Sequence, residues 1–280
     1  MCGITGVIIG KDANIKKVRR RFTALLKLTE SRGIDAAGAY VYNGNGEVFM
    51  AKNPVRASTF VQSRRYMGLM QTITKDTLHV VGHTRAATQG TPKDNTNNHP
   101  ILDGSWIGVH NGVIYNDVSL ALAYGTSAEV DSAVIFSMLN AETEDHPVGR
   151  KRFATLMGEL DGSFAVAATD LRSDKLFLAR NRNPIVLMVK EGCLWFNSEA
   201  RHLETVFGLE TNSPLVEKMR PNSVMLATAT NAEGTPLRHY PIRHEPAGGE
   251  ALSQFTLEEI SPSVYDYIEQ IRRKRGHYLA

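Results

Sequence analysis

The sequence predicts an α+β protein whose helices pack against mainly antiparallel sheets. Three observations carry this expectation. Strand-like segments fall into two sets grouped around paired helical segments. Asn43-Gly44-Asn45-Gly46 separates two such segments and is a strong hairpin signal. Residues 13–30 carry Ile15, Val18, Phe22, Leu25 and Leu26 at helical spacing, with basic residues opposite.

Each element has its own local reason. Residues 3–9 alternate weakly and are rich in β-branched types, which predicts a strand. The helix over 13–30 is expected to stop at Gly33. Strands over 36–42 and 47–51 flank the hairpin turn, followed by a helix over 58–73 and a strand over 77–83. Residues 88–104 are rich in Gly, Pro, Asn, Asp and Thr without periodicity and predict one long loop, the kind that often carries function. A strand over 105–110 leads into Asn111-Gly112, which taken alone predicts a turn. Helices fit 116–123, 129–140 and 149–159. Strands fit 163–169, 175–180, 185–190, 193–198, 222–229 and 236–242, with a short helix over 199–207. Pro246-Ala247-Gly248-Gly249 marks a linker, and Val264, Tyr267, Ile268 and Ile271 mark an amphipathic helix beyond it. The expected division is therefore a main domain over 2–245 and a linker with a C-terminal helix over 246–280.

Composition narrows the function classes. Of 280 residues, 42% are hydrophobic and 22% charged, as in soluble globular proteins. Cys2 and Cys193 cannot form a disulfide framework. No apolar run approaches the roughly 20 residues that cross a bilayer. The opening MCGITGVIIG lacks a basic leader region, so a cytoplasmic protein is expected. A net charge of +3 does not point to nucleic acid, and the basic runs at 16–21 and 272–275 read as solvated helix faces. The nine histidines show no metal-ligand spacing, and no phosphate-binding loop motif is present, so no metal or cofactor is expected.

Cys2 is the residue that points to chemistry. Once Met1 is removed, a free α-amine would sit on the nucleophile itself. An α-amine with an ordinary pKa of about 7.7–8.0 can act as general base for the adjacent thiol. A cysteine after Met is, taken alone, equally compatible with chance. Further blocks follow in order: Arg32-Gly33-Ile34-Asp35-Ala36-Ala37-Gly38, Gly82-His83-Thr84-Arg85-Ala86-Ala87-Thr88-Gln89-Gly90, Asn98-His99-Pro100, His110-Asn111-Gly112-Val113-Ile114-Tyr115-Asn116, Asp131 before an apolar helix, Leu160-Asp161-Gly162-Ser163-Phe164-Ala165 and Asn197-Ser198-Glu199-Ala200. Together they resemble the class II, N-terminal-cysteine glutamine amidotransferases over about residues 2–230.

The resemblance implies a four-layer αββα sandwich, the fold of N-terminal-nucleophile hydrolases. It implies hydrolysis of the L-glutamine side-chain amide through a Cys2 thioester, with Asn111 and the N–H of Gly112 as oxyanion hole. Arg85 matches the family's guanidinium for the substrate α-carboxylate, and Asp131 matches its anion for the α-ammonium. Arg32, Thr88 and Gly90 are implied at or near the pocket. Ala36, Ala86 and Gln89 depart from the family's usual Ser, Trp and His.

About 35 residues follow the linker, too few for a fused ammonia-consuming domain. The expected acceptor is a separate enzyme, with the helix over 261–275 as a candidate docking element or as a terminal helix packed on its own domain. Two other functions stay open. One is an N-terminal-Cys amidohydrolase acting on a γ-glutamyl or other small-molecule amide without ammonia transfer. The other is a non-catalytic scaffold of the same fold.

Overall fold

A computed structural model describes residues 1–126, 129–143 and 148–243. In chain order the elements are β1 (Gly3–Ile9), α1 (Ile15–Thr29), β2 (Ala36–Gly44), β3 (Glu47–Asn53), α2 (Ala57–Phe60), α3 (Arg64–Gln71), β4 (His79–Arg85), β5 (Ile101–Asp103), β6 (Trp106–Ile114), α4 (Asp117–Tyr124), α5 (Asp131–Ala141), α6 (Arg150–Gly158), β7 (Gly162–Asp170), β8 (Lys175–Arg180), β9 (Val186–Lys190), β10 (Cys193–Asn197), α7 (Ala200–Phe207), β11 (Glu217–Lys218), β12 (Ser223–Ala227), α8 (Ala229–Ala232) and β13 (His239–Pro241).

They form two antiparallel sheets. One has the order β11-β9-β10-β1-β4-β2-β3, the other β13-β12-β8-β7-β6-β5. The side-chain period of two decides the layering. Along β1, Ile4 and Ile8 enter an apolar layer shared with Ile107, Val109, Ala165 and Leu178 of the other sheet. Val7 and Ile9 point the opposite way and join Phe22, Leu25 and Leu26 of α1. The second sheet is covered in turn by α4, α5 and α6, where Phe136 and Phe153 pack with Phe164 and Phe177. Helix, sheet, sheet and helix are thus the four layers of an αββα sandwich, as expected. Both faces of the inner strands are buried, as along β1 and β4, which is why these strands alternate only weakly in the sequence. Among the described residues no helix is long and apolar enough to cross a membrane.

The structure departs locally from the sequence reading. The helix expected over 58–73 is two helices, because Ser63 takes an extended conformation and its Oγ accepts the Tyr66 N–H at 3.2 Å as an N-cap. The expected loop over 88–104 contains a 3-10 turn at Asn95–Asn97 and strand β5. Asn111-Gly112 is not a turn: β6 runs through it, in register with β7 from Trp106↔Asp170 to Ile114↔Gly162. Pairing along the whole of β7 outweighs the local turn preference. Gly33 follows a 3-10 turn in extended backbone, and its missing side chain matters for another reason: a Cβ there would lie 2.3 Å from the Arg85 carbonyl carbon. The linker at 246–249 and the helix over 261–275 lie outside the described residues.

Candidate active site

Cys2 precedes β1, the central strand between β10 and β4. Its Sγ accepts the Ala86 N–H at 3.4 Å, just past the end of β4. Its carbonyl oxygen accepts from Arg32 Nε at 2.8 Å, and Arg32 Nη1 donates to Glu199 Oε1 at 2.6 Å. Burial pushes the Cys2 thiol up. The Ala86 N–H, the chain-terminal ammonium and Arg85 pull it down, while Asp131 opposes them. The net result is a protonated thiol at neutral pH, so attack on a carbonyl would need a base beside it.

Arg85 ends β4 and is 4% exposed. Nη1 donates to Asn98 Oδ1 at 2.8 Å, and Nη2 donates to the carbonyl oxygens of Gly90, at 3.0 Å, and Gln89. All three acceptors are neutral. Among the described residues no carboxylate lies within ion-pair distance of this guanidinium. Burial lowers its proton affinity, while Cys2, Asp35 and Asp131 act from a distance to raise it.

Asp131 opens α5 and is also 4% exposed. Oδ2 accepts the Ile114 N–H at 2.8 Å, Oδ1 accepts from Ser132 Oγ at 3.4 Å, and its own N–H donates to Gln89 Oε1 at 3.2 Å. The first turn of a helix favours a negative charge. Asp131 also has no cationic side chain within ion-pair distance among the described residues.

Asn111 and Gly112 lie on β6 of the opposite sheet. His83 Nε2 of β4 donates to the His110 carbonyl at 3.0 Å and clamps the two sheets together at this point. The Asn111 carbonyl accepts from Asn183 Nδ2 at 2.6 Å, but Asn111 Nδ2 is buried with no hydrogen-bond partner. A buried donor of this kind is costly unless something else uses it. Gly112 has φ +152°, and a Cβ there would lie 1.8 Å from the Ser163 carbonyl oxygen, so only glycine fits.

The remaining candidates take different positions. Gly90 has φ +66° and contributes its carbonyl to Arg85. Arg32 holds the Cys2 backbone and Glu199. Thr88 is exposed on the segment between Arg85 and Gly90. Gln89, Asn98 and Asp35 carry contacts that the sequence reading did not assign. Asp35 accepts the Ala87 N–H at 2.8 Å, which holds the segment after Arg85 in place. Asn98 had a signal, its place in the Asn98-His99-Pro100 block, whereas Gln89 stood only as a departure. No group of three metal-ligating side chains occurs among the described residues.

Residues 83–205 match the family described as a glutamine amidotransferase domain. This chain contains a class II glutamine amidotransferase domain. The domain resembles 7-cyano-7-deazaguanine synthase of Saccharolobus solfataricus, with 28% identity over 238 residues, 82% of this chain and 49% of that protein. It also resembles the isomerizing glutamine–fructose-6-phosphate aminotransferase of Oceanobacillus iheyensis, with 33% identity over 198 residues, 69% of this chain and 31% of that one. The chain therefore spans less than half the length of these two relatives. In shape the amidotransferase domain matches the glutamine phosphoribosylpyrophosphate amidotransferase of B. subtilis at a TM-score of 0.63, with 15% identity, covering 88% of this chain and 50% of that one. That likeness concerns the fold.

Proposed function

We propose that this domain hydrolyses the side-chain amide of L-glutamine through a Cys2 thioester and releases ammonia for an acceptor on a separate enzyme. The observation that carries the reading is the pair of buried, uncompensated charges. Arg85 and Asp131 are each 4% exposed and neither has an oppositely charged side chain within ion-pair distance among the described residues. Burying an unpaired charge is expensive, so such a pair is retained where a ligand supplies the counter-charges. A free amino acid supplies both, a carboxylate for Arg85 and an ammonium for Asp131. Cys2 lies within the field of both residues.

The chemistry then follows. Loss of Met1 leaves the α-amine on Cys2, which takes the thiol proton. The thiolate attacks the side-chain carbonyl carbon, and the carbon–oxygen double bond opens to an oxyanion. Asn111 Nδ2, buried without another partner, and the Gly112 N–H donate to that oxygen. The tetrahedral centre collapses, the carbon–nitrogen bond breaks, and the α-ammonium returns its proton to the departing nitrogen as ammonia. Water, deprotonated by the same amine, cleaves the thioester to glutamate and restores the thiol. Arg32, itself held by Glu199, holds the Cys2 backbone during these steps, with Thr88 and Gly90 on the loop that closes around Arg85.

At neutral pH free ammonia is mostly ammonium, so direct transfer to a docked acceptor is the useful outcome. The similar proteins are named as a synthase and an aminotransferase, which supports an ammonia-consuming partner. Residues 261–275 are proposed as its docking element and the cytoplasm as its compartment.

The decisive experiment is intact mass before and after incubation with 6-diazo-5-oxo-L-norleucine, a glutamine-like electrophile. Loss of Met1 and one adduct on Cys2, blocked by excess glutamine, is expected. A protein lacking Met1 that takes no adduct overturns the reading.

A further inference from the structure

We propose that Lys52 is a positioning residue that sets the Arg85 guanidinium, through Asn98, to receive the α-carboxylate of glutamine; this rests on the function proposed above. Lys52 lies on β3, the edge strand of its sheet, and belongs to none of the blocks that mark the family resemblance. Its Nζ donates to the carbonyl oxygens of Asn98 at 2.6 Å and Pro100 at 2.9 Å. In return, Asn95 Nδ2 donates to the Lys52 carbonyl at 2.8 Å. The segment 95–100 is thereby strapped to the sheet edge at three points.

The strap transmits to Arg85 because Asn98 has no freedom left. Asn98 is 0% exposed. Its Nδ2 donates to the Pro92 carbonyl at 2.8 Å and to Asn95 Oδ1 at 3.0 Å, which leaves Oδ1 as the atom facing Arg85 Nη1 at 2.8 Å. An amide with both ends committed orients a guanidinium far more sharply than water would. The approach is also close. A Cβ on Gly38, opposite Lys52 in the register, would lie 2.1 Å from the His99 carbonyl oxygen and 2.8 Å from Lys52 Cβ. The loop can sit this near the sheet only with glycine at 38, and the Lys52 stem then reaches along it.

Charge adds to geometry. Burial pulls the Lys52 amine down to about 8, Asp94 works in the opposite direction, and Arg85 repels it. A lysine that only fastened a surface loop would support every property of the domain alike. A lysine that acts through Arg85 should matter only while Arg85 is present, and that difference can be measured.

The test is a double-mutant cycle on the full chain, read as the second-order rate of Cys2 alkylation by 6-diazo-5-oxo-L-norleucine. Lys52→Met is expected to slow alkylation about tenfold when Arg85 is present and less than about twofold in an Arg85→Met background, with Lys52→Arg restoring most of the rate. If Lys52→Met fails to fold, as judged by thermal melting, Lys52→Gln replaces it in the same cycle. Equal slowing in both backgrounds, or none in either, overturns the positioning role while leaving the glutaminase reading intact. A parent protein that is not alkylated overturns both, and that arm is read separately.

Discussion

Arg85 and Asp131 are held by the same residue: Gln89 accepts from the Arg85 guanidinium through its main-chain oxygen and from the Asp131 N–H through its side-chain oxygen, the latter at 3.2 Å. One residue of the connecting loop thus joins the end of β4 to the start of α5. It holds a buried cation and a buried anion near each other without letting them pair.

Arg85→Lys should therefore raise the KM for glutamine about 10²-fold with a smaller change in kcat. Lysine keeps the charge but loses the planar fork that meets a carboxylate through two hydrogen bonds. Steady-state glutaminase kinetics check this. A KM within about twofold of the parent would remove Arg85 from substrate binding.

Neighbouring positions on β6 should respond in opposite ways. Asn111→Ala deletes a buried donor that has no protein partner, so denaturant stability should hold or rise slightly while kcat falls about 10²–10³-fold. Gly112→Ala forces a Cβ to 1.8 Å from the Ser163 carbonyl oxygen at φ +152°, so it should lose at least about 3 kcal/mol of stability. Urea melts beside kcat separate the two. A destabilised but fully active Asn111→Ala would reverse the assignment.

Acid should unfold the domain well above the carboxylate range. Burial pulls His79 and His83 down to about 3 and His202 to about 4, against about 6.5 in the unfolded chain. Their folded values are depressed, so the unfolded state binds more protons at intermediate pH. The stability they contribute is complete above about pH 6.5 and is lost as pH falls to about 4 for His202 and about 3 for His79 and His83, by about 1.4 kcal/mol per pH unit for each proton taken up. Urea midpoints at pH 7.5, 6 and 5 should drop progressively. A flat profile would mean that these imidazoles titrate in the fold as they do in the unfolded chain.

The order and type of nearly all the elements were legible in the sequence, because apolar spacing and turn residues act over a few neighbours. The hairpin at Asn43–Gly46 and the helix carrying Phe22, Leu25 and Leu26 are local in this sense. The family resemblance was legible too, since its blocks are contiguous and ordered along the chain. Tertiary structure alone decided how these pieces meet. Strand pairing with β7 carried β6 through Asn111-Gly112 and overrode a turn signal. The loop after Arg85 folded back so that Asn98, 13 residues on, and Gln89 became its partners. Lys52 reached Asn98 across 46 residues of sequence. Contacts of this range depend on strand register and on where glycines let the backbone approach. No local pattern encodes either, which is why these long-range partners of Arg85 were not legible in the sequence.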